Sequence, residues 1–373
     1  MTEPNPAFFW LASVIRGESP DDVDLDDELS VENIWQAGLE NGVLSLLYYT
    51  LNQSGSSPTI PDELEQKLHQ HTLSAAAAEL KTAQELREVF SAFATNHLKC
   101  LLIKGTPLAY SLYPQPYLRS RCDTDLIFES SSEAEKAWDI LKVLDYKRPN
   151  AVQGKYVSHE FSCFRTDTTN TLYTLDLHWR LSNAHLFAGA LDYDELAESA
   201  IQVTVLDKQA WGIGNTHALL LACMHRVAHM VEGQQNRLIW LYDIHLLAEQ
   251  LSDEEWQAFM KLAQSRQLSG ICLDGLETTQ GYLATRLPDD IVMGLRDSAR
   301  SEKTGIEMGA SRIAMELSNL RAIPDMKGRV GLIRERLFPD TDYMLTKYNT
   351  SNRGLLPYLY LRRFMEGTAK LFR

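Results

Sequence analysis

Apolar side chains recur at helical spacing over roughly the first hundred residues of the chain. From Ala75 to Leu98, the run Ala75-Ala76-Ala77-Ala78-Glu79-Leu80 leads into Leu86, Val89, Phe90 and Phe93. These lie three or four apart, which predicts an amphipathic helix. The acidic stretch Asp21 to Glu28 and the segment Ser54-Gly55-Ser56-Ser57-Pro58 predict loops. The period then changes. Cys100 to Ile103 is a short apolar run closed by Lys104-Gly105-Thr106, which reads as a strand and a turn, with a short helix near Pro107. A second strand is predicted near Asp125, and Ser132 with Glu135 predicts a capping box opening a helix to about Leu144.

Lys155 to Thr166 reads as extended. In Leu172 to Leu181 the apolar residues Tyr173, Leu175, Leu177, Trp179 and Leu181 alternate with others. That is the period of a half-buried strand with Thr174, Asp176, His178 and Arg180 on its open face. Asp167 to Asn170 is polar enough to turn a hairpin between the two runs. From about Thr216 helical spacing returns through Leu219, Leu220, Ala222, Cys223 and Val227, then Leu238 to Leu251. Ser252 with Glu255 is a further capping box. The expected class is α+β: an N-terminal helical region over 1–95, a sheet-containing core over 96–210, and a C-terminal helical region over 211–373. The final stretch, Leu355 to Arg373, mixes apolar residues with Arg362, Arg363, Lys370 and Arg373. A docked terminal helix is expected there, with an anionic membrane surface as the other reading.

The chemistry concentrates in the core. Asp123 and Asp125 are two apart on the strand expected there, so both side chains would point to one face and could share a hard cation. Lys104-Gly105-Thr106 precedes them and could offer positive charge, backbone N–H groups and a hydroxyl to phosphate oxygens. Asp176 emerges mid-strand in the second half of the hairpin as a third carboxylate. Together they point to a metal-dependent nucleoside triphosphate site. Arg119 and Arg121 lie just ahead of the aspartates, as phosphate clamps or as partners in salt bridges. His178 shares the strand face with Asp176. His225 and His229 are four apart on a predicted helix, a spacing that suits zinc, but no His-Glu-x-x-His motif and no third ligand accompany them.

The blocks Lys104-Gly105, Arg119 or Arg121 ahead of Asp123-Thr124-Asp125-Leu126, and Asp176-Leu177-His178-Trp179 occur in that order. They resemble the uncharacterised bacterial nucleotidyltransferases of the DNA polymerase β-type nucleotidyltransferase superfamily. The resemblance continues through His225, His229, Arg237, Trp240 and Asp243. It implies a polymerase β-like mixed sheet flanked by helical regions, with Asp123, Asp125 and Asp176 as catalytic metal ligands for Mg²⁺ or Mn²⁺. It further implies an NTP substrate contacted by Lys104, Gly105, Thr106, Arg119, Arg121, His178, His229 and Arg237. The reaction implied is transfer of a nucleoside monophosphate to a hydroxyl-bearing acceptor, with release of pyrophosphate. Two rivals stand beside it: a nucleotide-binding or scaffold protein that retains the fold, and a toxin-type enzyme modifying tRNA. The sequence departs from the family's usual pattern twice. Threonine replaces the usual serine after Gly105, and the loop Tyr113-Pro114-Gln115-Pro116-Tyr117 lengthens the gap to the aspartates.

Composition narrows the picture further. The 373 residues, 45% of them apolar, suffice for a sizeable core. A net charge of −14 argues against a broad nucleic-acid surface, leaving a small molecule, a sugar or a protein as acceptor. Five scattered cysteines with no Cys-x-x-Cys pair, and no stretch resembling a signal peptide or a membrane span, make the cytoplasm the expected location.

Overall fold

The computed structural model describes residues 6–18, 29–53, 60–152, 154–302 and 311–371, and every structural statement concerns these. The loops expected over Asp21 to Glu28 and Ser54 to Pro58 lie outside them. Helices α1 (Pro6–Ile15), α2 (Val31–Asn41), α3 (Leu44–Gln53) and α4 (Asp62–Thr95) come first, followed by strand β1 (Leu101–Ile103), helix α5 (Gly105–Ser111) and strand β2 (Thr124–Ile127). Helix α6 (Ser131–Val143) leads to strands β3 (Glu160–Thr166) and β4 (Leu172–His178). Short helices α7 (His185–Ala188) and α8 (Tyr193–Glu198) precede two-residue strands β5 (Ile201–Gln202) and β6 (Trp211–Gly212). The remainder is helical: α9 (Asn215–Ala228), α10 (Leu238–Gln250), α11 (Asp253–Ser265), α12 (Ser269–Leu283), α13 (Asp289–Ala299), α14 (Arg312–Ala322), α15 (Met326–Leu337), α16 (Thr341–Lys347) and α17 (Leu356–Leu371). The fold is therefore α+β, with a six-stranded mixed sheet and helices at both termini of the chain.

Strand order in the sheet is β3-β4-β2-β1-β6-β5. β1 runs parallel to β6, and β3 pairs antiparallel with β4 in a register that sets Ser162 opposite Asp176 and Glu160 opposite His178. The turn between β3 and β4 is closed by Asp167, whose carboxylate accepts from the backbone N–H groups of Thr169 and Thr171. An aspartate that satisfies local backbone donors in this way stabilises the turn without help from elsewhere. β2 is buried along its whole length, as expected of an interior strand.

The chain divides into two compact units, and the dividing line falls inside β2. The first comprises Met1–His97, Leu101–Asp125 and Leu196–Thr304. Its apolar core joins α1, α2, α3 and the start of α4 to Leu238, Ile239, Trp240 and Leu241 of α10. The second comprises Leu98–Cys100, Leu126–Glu195 and Gly305–Arg373. Within it, Glu335 of α15 accepts hydrogen bonds from the backbone N–H groups of Lys155, Tyr156 and Val157, tying that loop to the C-terminal helices.

Several local expectations shift. The cap of α6 is Ser130, whose hydroxyl accepts from the Glu133 N–H, and not Ser132. Three consecutive serines offer three possible starts, and the hydroxyl that reaches an N–H two or three residues on decides among them. At Ser252 the reciprocal capping box with Glu255 forms as the sequence indicates. Extended structure begins at Glu160, not Lys155. The terminal helix α17 docks on one side only: Leu359 is buried, whereas Tyr358, Leu361, Phe364 and Met365 are exposed. Among the described residues no helix is long and apolar enough to cross a membrane.

Candidate functional site

The end of β1 delivers Lys104 in an unusual backbone state, φ 59° and ψ −132°. For a side chain with a Cβ this costs on the order of 1–3 kcal/mol, a strain that persists only where surrounding structure imposes it. Its consequence is local. The Lys104 ammonium lies 2.6 Å from Oδ1 of Asp125, on the buried strand β2. A carboxylate with 6% side-chain exposure needs a compensating charge, and Lys104 supplies it.

On the neighbouring strand β4 stand Asp176 and His178. Asp125, Asp176 and His178 each offer one potential ligand atom, and these atoms lie within 4.8 Å of one another. His178 is fully buried, unlike the open-face position its place in the alternation suggests. Its Nδ1 lies 2.7 Å from Oε2 of Glu160, the residue directly opposite in the β3–β4 register. An imidazole oriented by a carboxylate at one nitrogen is a common arrangement for a histidine that ligates through the other. Asp123 immediately precedes β2, half-buried, and is not one of this group of three; its charge acts on Arg119.

Gly105 and Thr106 open α5 directly, without an intervening turn. Gly105 is required by packing: a Cβ there would stand 2.9 Å from Cζ of Arg119. The Thr106 hydroxyl is buried and donates to the Thr124 hydroxyl at 3.3 Å.

Arg119 is buried and bound to Asp243 of α10, with Nε 3.0 and 3.1 Å and Nη2 2.7 Å from the two carboxylate oxygens. Burial opposes its charge, but the neighbouring Asp243 outweighs that and holds the guanidinium charged above its ordinary range. Tyr113 donates its hydroxyl to the same carboxylate at 2.7 Å. Arg121 donates to Glu79 of α4 at 2.6 Å, and Tyr110 shares that carboxylate. Both arginines read as phosphate clamps or salt-bridge partners are thus engaged within the protein, in buried pairs and not surface ones.

Behind Lys104 lies a small recess open to solvent. Lys104, Gly105, Arg119, His225, Trp240 and Asp243 contribute its polar and aromatic lining, and Pro107, Leu108, Ile213 and Leu221 its apolar lining. His225 packs edge-on against Trp240, with ring centroids 4.6 Å apart. Burial, with Lys104 and His229 nearby, drives His225 well below the ordinary histidine range, so its ring is neutral. His229 and Arg237 pack on Trp240, at 5.0 Å and 5.1 Å from its ring centre. His229 also meets Glu232, and Arg237 donates to the Glu40 carbonyl at 2.9 Å. No third ligand joins His225 and His229 among the described residues, so the zinc spacing has no site to serve.

Two residues central to this arrangement carry little sequence signal of their role. Glu160, the partner of His178, is identified only by strand register. Trp240 is one of the residues that carry the family resemblance, but nothing in the sequence makes it the centre of the histidine and arginine cluster.

The model of the uncharacterised nucleotidyltransferases matches residues 27–284. The chain belongs to that family. The matched span includes Asp125, Asp176 and His178, the three residues that could hold an ion, and every residue lining the recess. No curated protein matches the chain. Membership makes the protein a transferase of nucleotidyl groups, for which an NTP is the implied substrate and a divalent ion the implied helper.

Proposed function

We propose that this nucleotidyltransferase is a polymerase β-type enzyme of the cytoplasm. In this reading it moves a nucleoside monophosphate from a metal-bound NTP to a hydroxyl on a small molecule, a sugar or a protein, and pyrophosphate leaves. The observation that carries the reading is the convergence of Asp125, Asp176 and His178 in a chain of this family.

The donor set fits a divalent ion. Two carboxylate oxygens and one imidazole leave positions for water and phosphate oxygens, as Mg²⁺ or Mn²⁺ requires. Asp123, outside that group of three, is kept as a ligand only for a second ion beside it. The nitrogen donor is better tolerated by Mn²⁺ than by Mg²⁺, so manganese is the favoured activator. When bound, such an ion acidifies the acceptor hydroxyl and neutralises the departing phosphates. The chain's own residues do the rest. Asp176 accepts the proton of the acceptor hydroxyl. Lys104 moves its ammonium from Asp125 to the triphosphate. Gly105 and Thr106 keep the start of α5 close to the phosphates. Glu160 fixes the His178 ring. Arg119 and Arg121 act by positioning, Arg119 on Asp243 and Arg121 on Glu79. The base or the acceptor body is assigned to the mouth of the recess beside His225 and Trp240, with His229 and Arg237 supporting the tryptophan.

The test is pyrophosphate release by the purified protein with each of the four NTPs, Mn²⁺ or Mg²⁺, and a fractionated pool of cellular acceptors. Release that needs both the ion and one fraction is expected. Absence of release with every NTP and fraction would contradict the proposal.

A further inference from the structure

The C-terminal helices carry a surface that the nucleotidyl-transfer chemistry does not use. Residues 311–373 contain twelve Lys and Arg against six Asp and Glu, a net +6, although the whole chain is −14. Residues 1–310 therefore carry −20. The basic excess coincides with exposed apolar side chains arranged in stripes.

On α15, Met326, Val330, Ile333 and Leu337 are all exposed. At about 100° per residue they fall within one narrow arc. Gly328 and Leu332, the buried residues of the same helix, face roughly the opposite way. Lys327 and Arg334 border the stripe on one side, both exposed, and Arg329 and Arg336 border it on the other, Arg336 paired with Glu316 and Arg329 donating to the Ile323 and Arg321 carbonyls. On α17, Tyr358, Leu361, Phe364 and Met365 occupy one side, more than half exposed, and buried Leu359 lies opposite. Arg362 flanks that stripe. The two helices are held together: Arg363 of α17 donates to the Arg336 carbonyl, and Tyr360 donates its hydroxyl to the Pro339 carbonyl at 2.7 Å.

We propose that α15 and α17 dock on an anionic lipid surface. Apolar stripes bordered by Lys and Arg are the pattern of helices that lie in a bilayer interface, apolar residues entering the acyl boundary and basic ones meeting phosphate headgroups. Long basic side chains reach the headgroups while their stems cover apolar surface. Charge decides between a bilayer and a second copy of this chain. Self-association through these stripes would bring the basic borders of two copies together, whereas an anionic leaflet complements them. The strongly acidic remainder is repelled from the same leaflet, which favours contact through this region alone.

The experiment is co-sedimentation of the full chain with phosphatidylcholine vesicles, with and without phosphatidylglycerol, at low and high salt. Wild type is compared with Val330→Glu/Ile333→Glu and Leu361→Glu/Met365→Glu, with melting temperatures and sedimentation velocity measured for all three. Binding to the anionic vesicles roughly tenfold above that to neutral ones is expected, weakened by salt and by either double variant. Because the four positions are exposed, unchanged melting is expected. Equal association with both vesicle types, or variants that bind like wild type, would overturn the proposal. So would a wild-type dimer that the same substitutions dissociate, which would make the surface an interface between copies.

Discussion

Arg119 and Asp243 meet through three hydrogen bonds at 2.7 to 3.1 Å, although 124 residues separate them in sequence. Asp243 belongs to α10, and Arg119 lies between α5 and β2, so the pair fastens α10 to the loop that enters β2. Tyr113 satisfies the same carboxylate, and Gly105 gives the guanidinium room.

Removing one member of such a pair strands the other charge in the interior. Asp243→Ala is expected to lower the unfolding free energy by about 3–5 kcal/mol in urea titrations. Gly105→Ala, which places a methyl against the guanidinium, should destabilise by a smaller amount in the same assay. A loss under about 1 kcal/mol for Asp243→Ala would show that the pair is replaceable.

Acid should destabilise the fold through its buried histidines. Burial, with His185 and Arg180 nearby, holds His159 at about 4 against an ordinary 6.5. Burial also drives His225 down. In each case the unfolded chain takes up a proton that the folded one refuses. The stabilisation is therefore complete above pH 6.5, and for His159 it is lost as pH falls toward 4. The slope is about 1.4 kcal/mol per pH unit for each histidine. Urea midpoints measured across that range should decline in wild type and decline less in His159→Phe. Midpoints independent of pH would remove the histidines from the stability account.

Asp125→Asn tests the ligand group without emptying it. The amide keeps a hydrogen-bond acceptor for Lys104 but loses the charge that attracts an ion. Isothermal titration with Mn²⁺ and NTP should show affinity reduced at least roughly tenfold, and the melting curve in the absence of metal should fall only modestly, because the amide still accepts from the partly exposed Lys104. Equal affinities in mutant and wild type would place the metal elsewhere.

The elements that form this site differ in how openly the sequence shows them. Period-two alternation marks β4 and places Asp176 on it, and the short apolar run before Lys104 marks β1. The burial of His178 is not visible there, because alternation separates faces but does not reveal what covers each one. Arg119 looks like a solvent-facing clamp, since its partner Asp243 belongs to a helix far along the chain and only tertiary structure joins them. β5 and β6 have two residues each, too few to carry any period, so the strand parallel to β1 cannot be read in advance. The exposed stripe on α15 is periodic in sequence too, but periodicity alone suggests a core-facing helix, and only exposure reverses that reading.

The most direct measurement is transfer of label from α-³²P-labelled NTPs to acceptors in a cell extract, by wild type and by Asp176→Ala, with Mn²⁺ or Mg²⁺. Asp176 stands on β4, a different strand from Asp125, and is assigned the acceptor proton. The account expects metal-dependent labelling of a defined acceptor by wild type. It expects loss of that labelling by about two orders of magnitude or more in Asp176→Ala, with much of the NTP affinity retained. Equal transfer by the two proteins, or no transfer by wild type with any of the four NTPs, would contradict it.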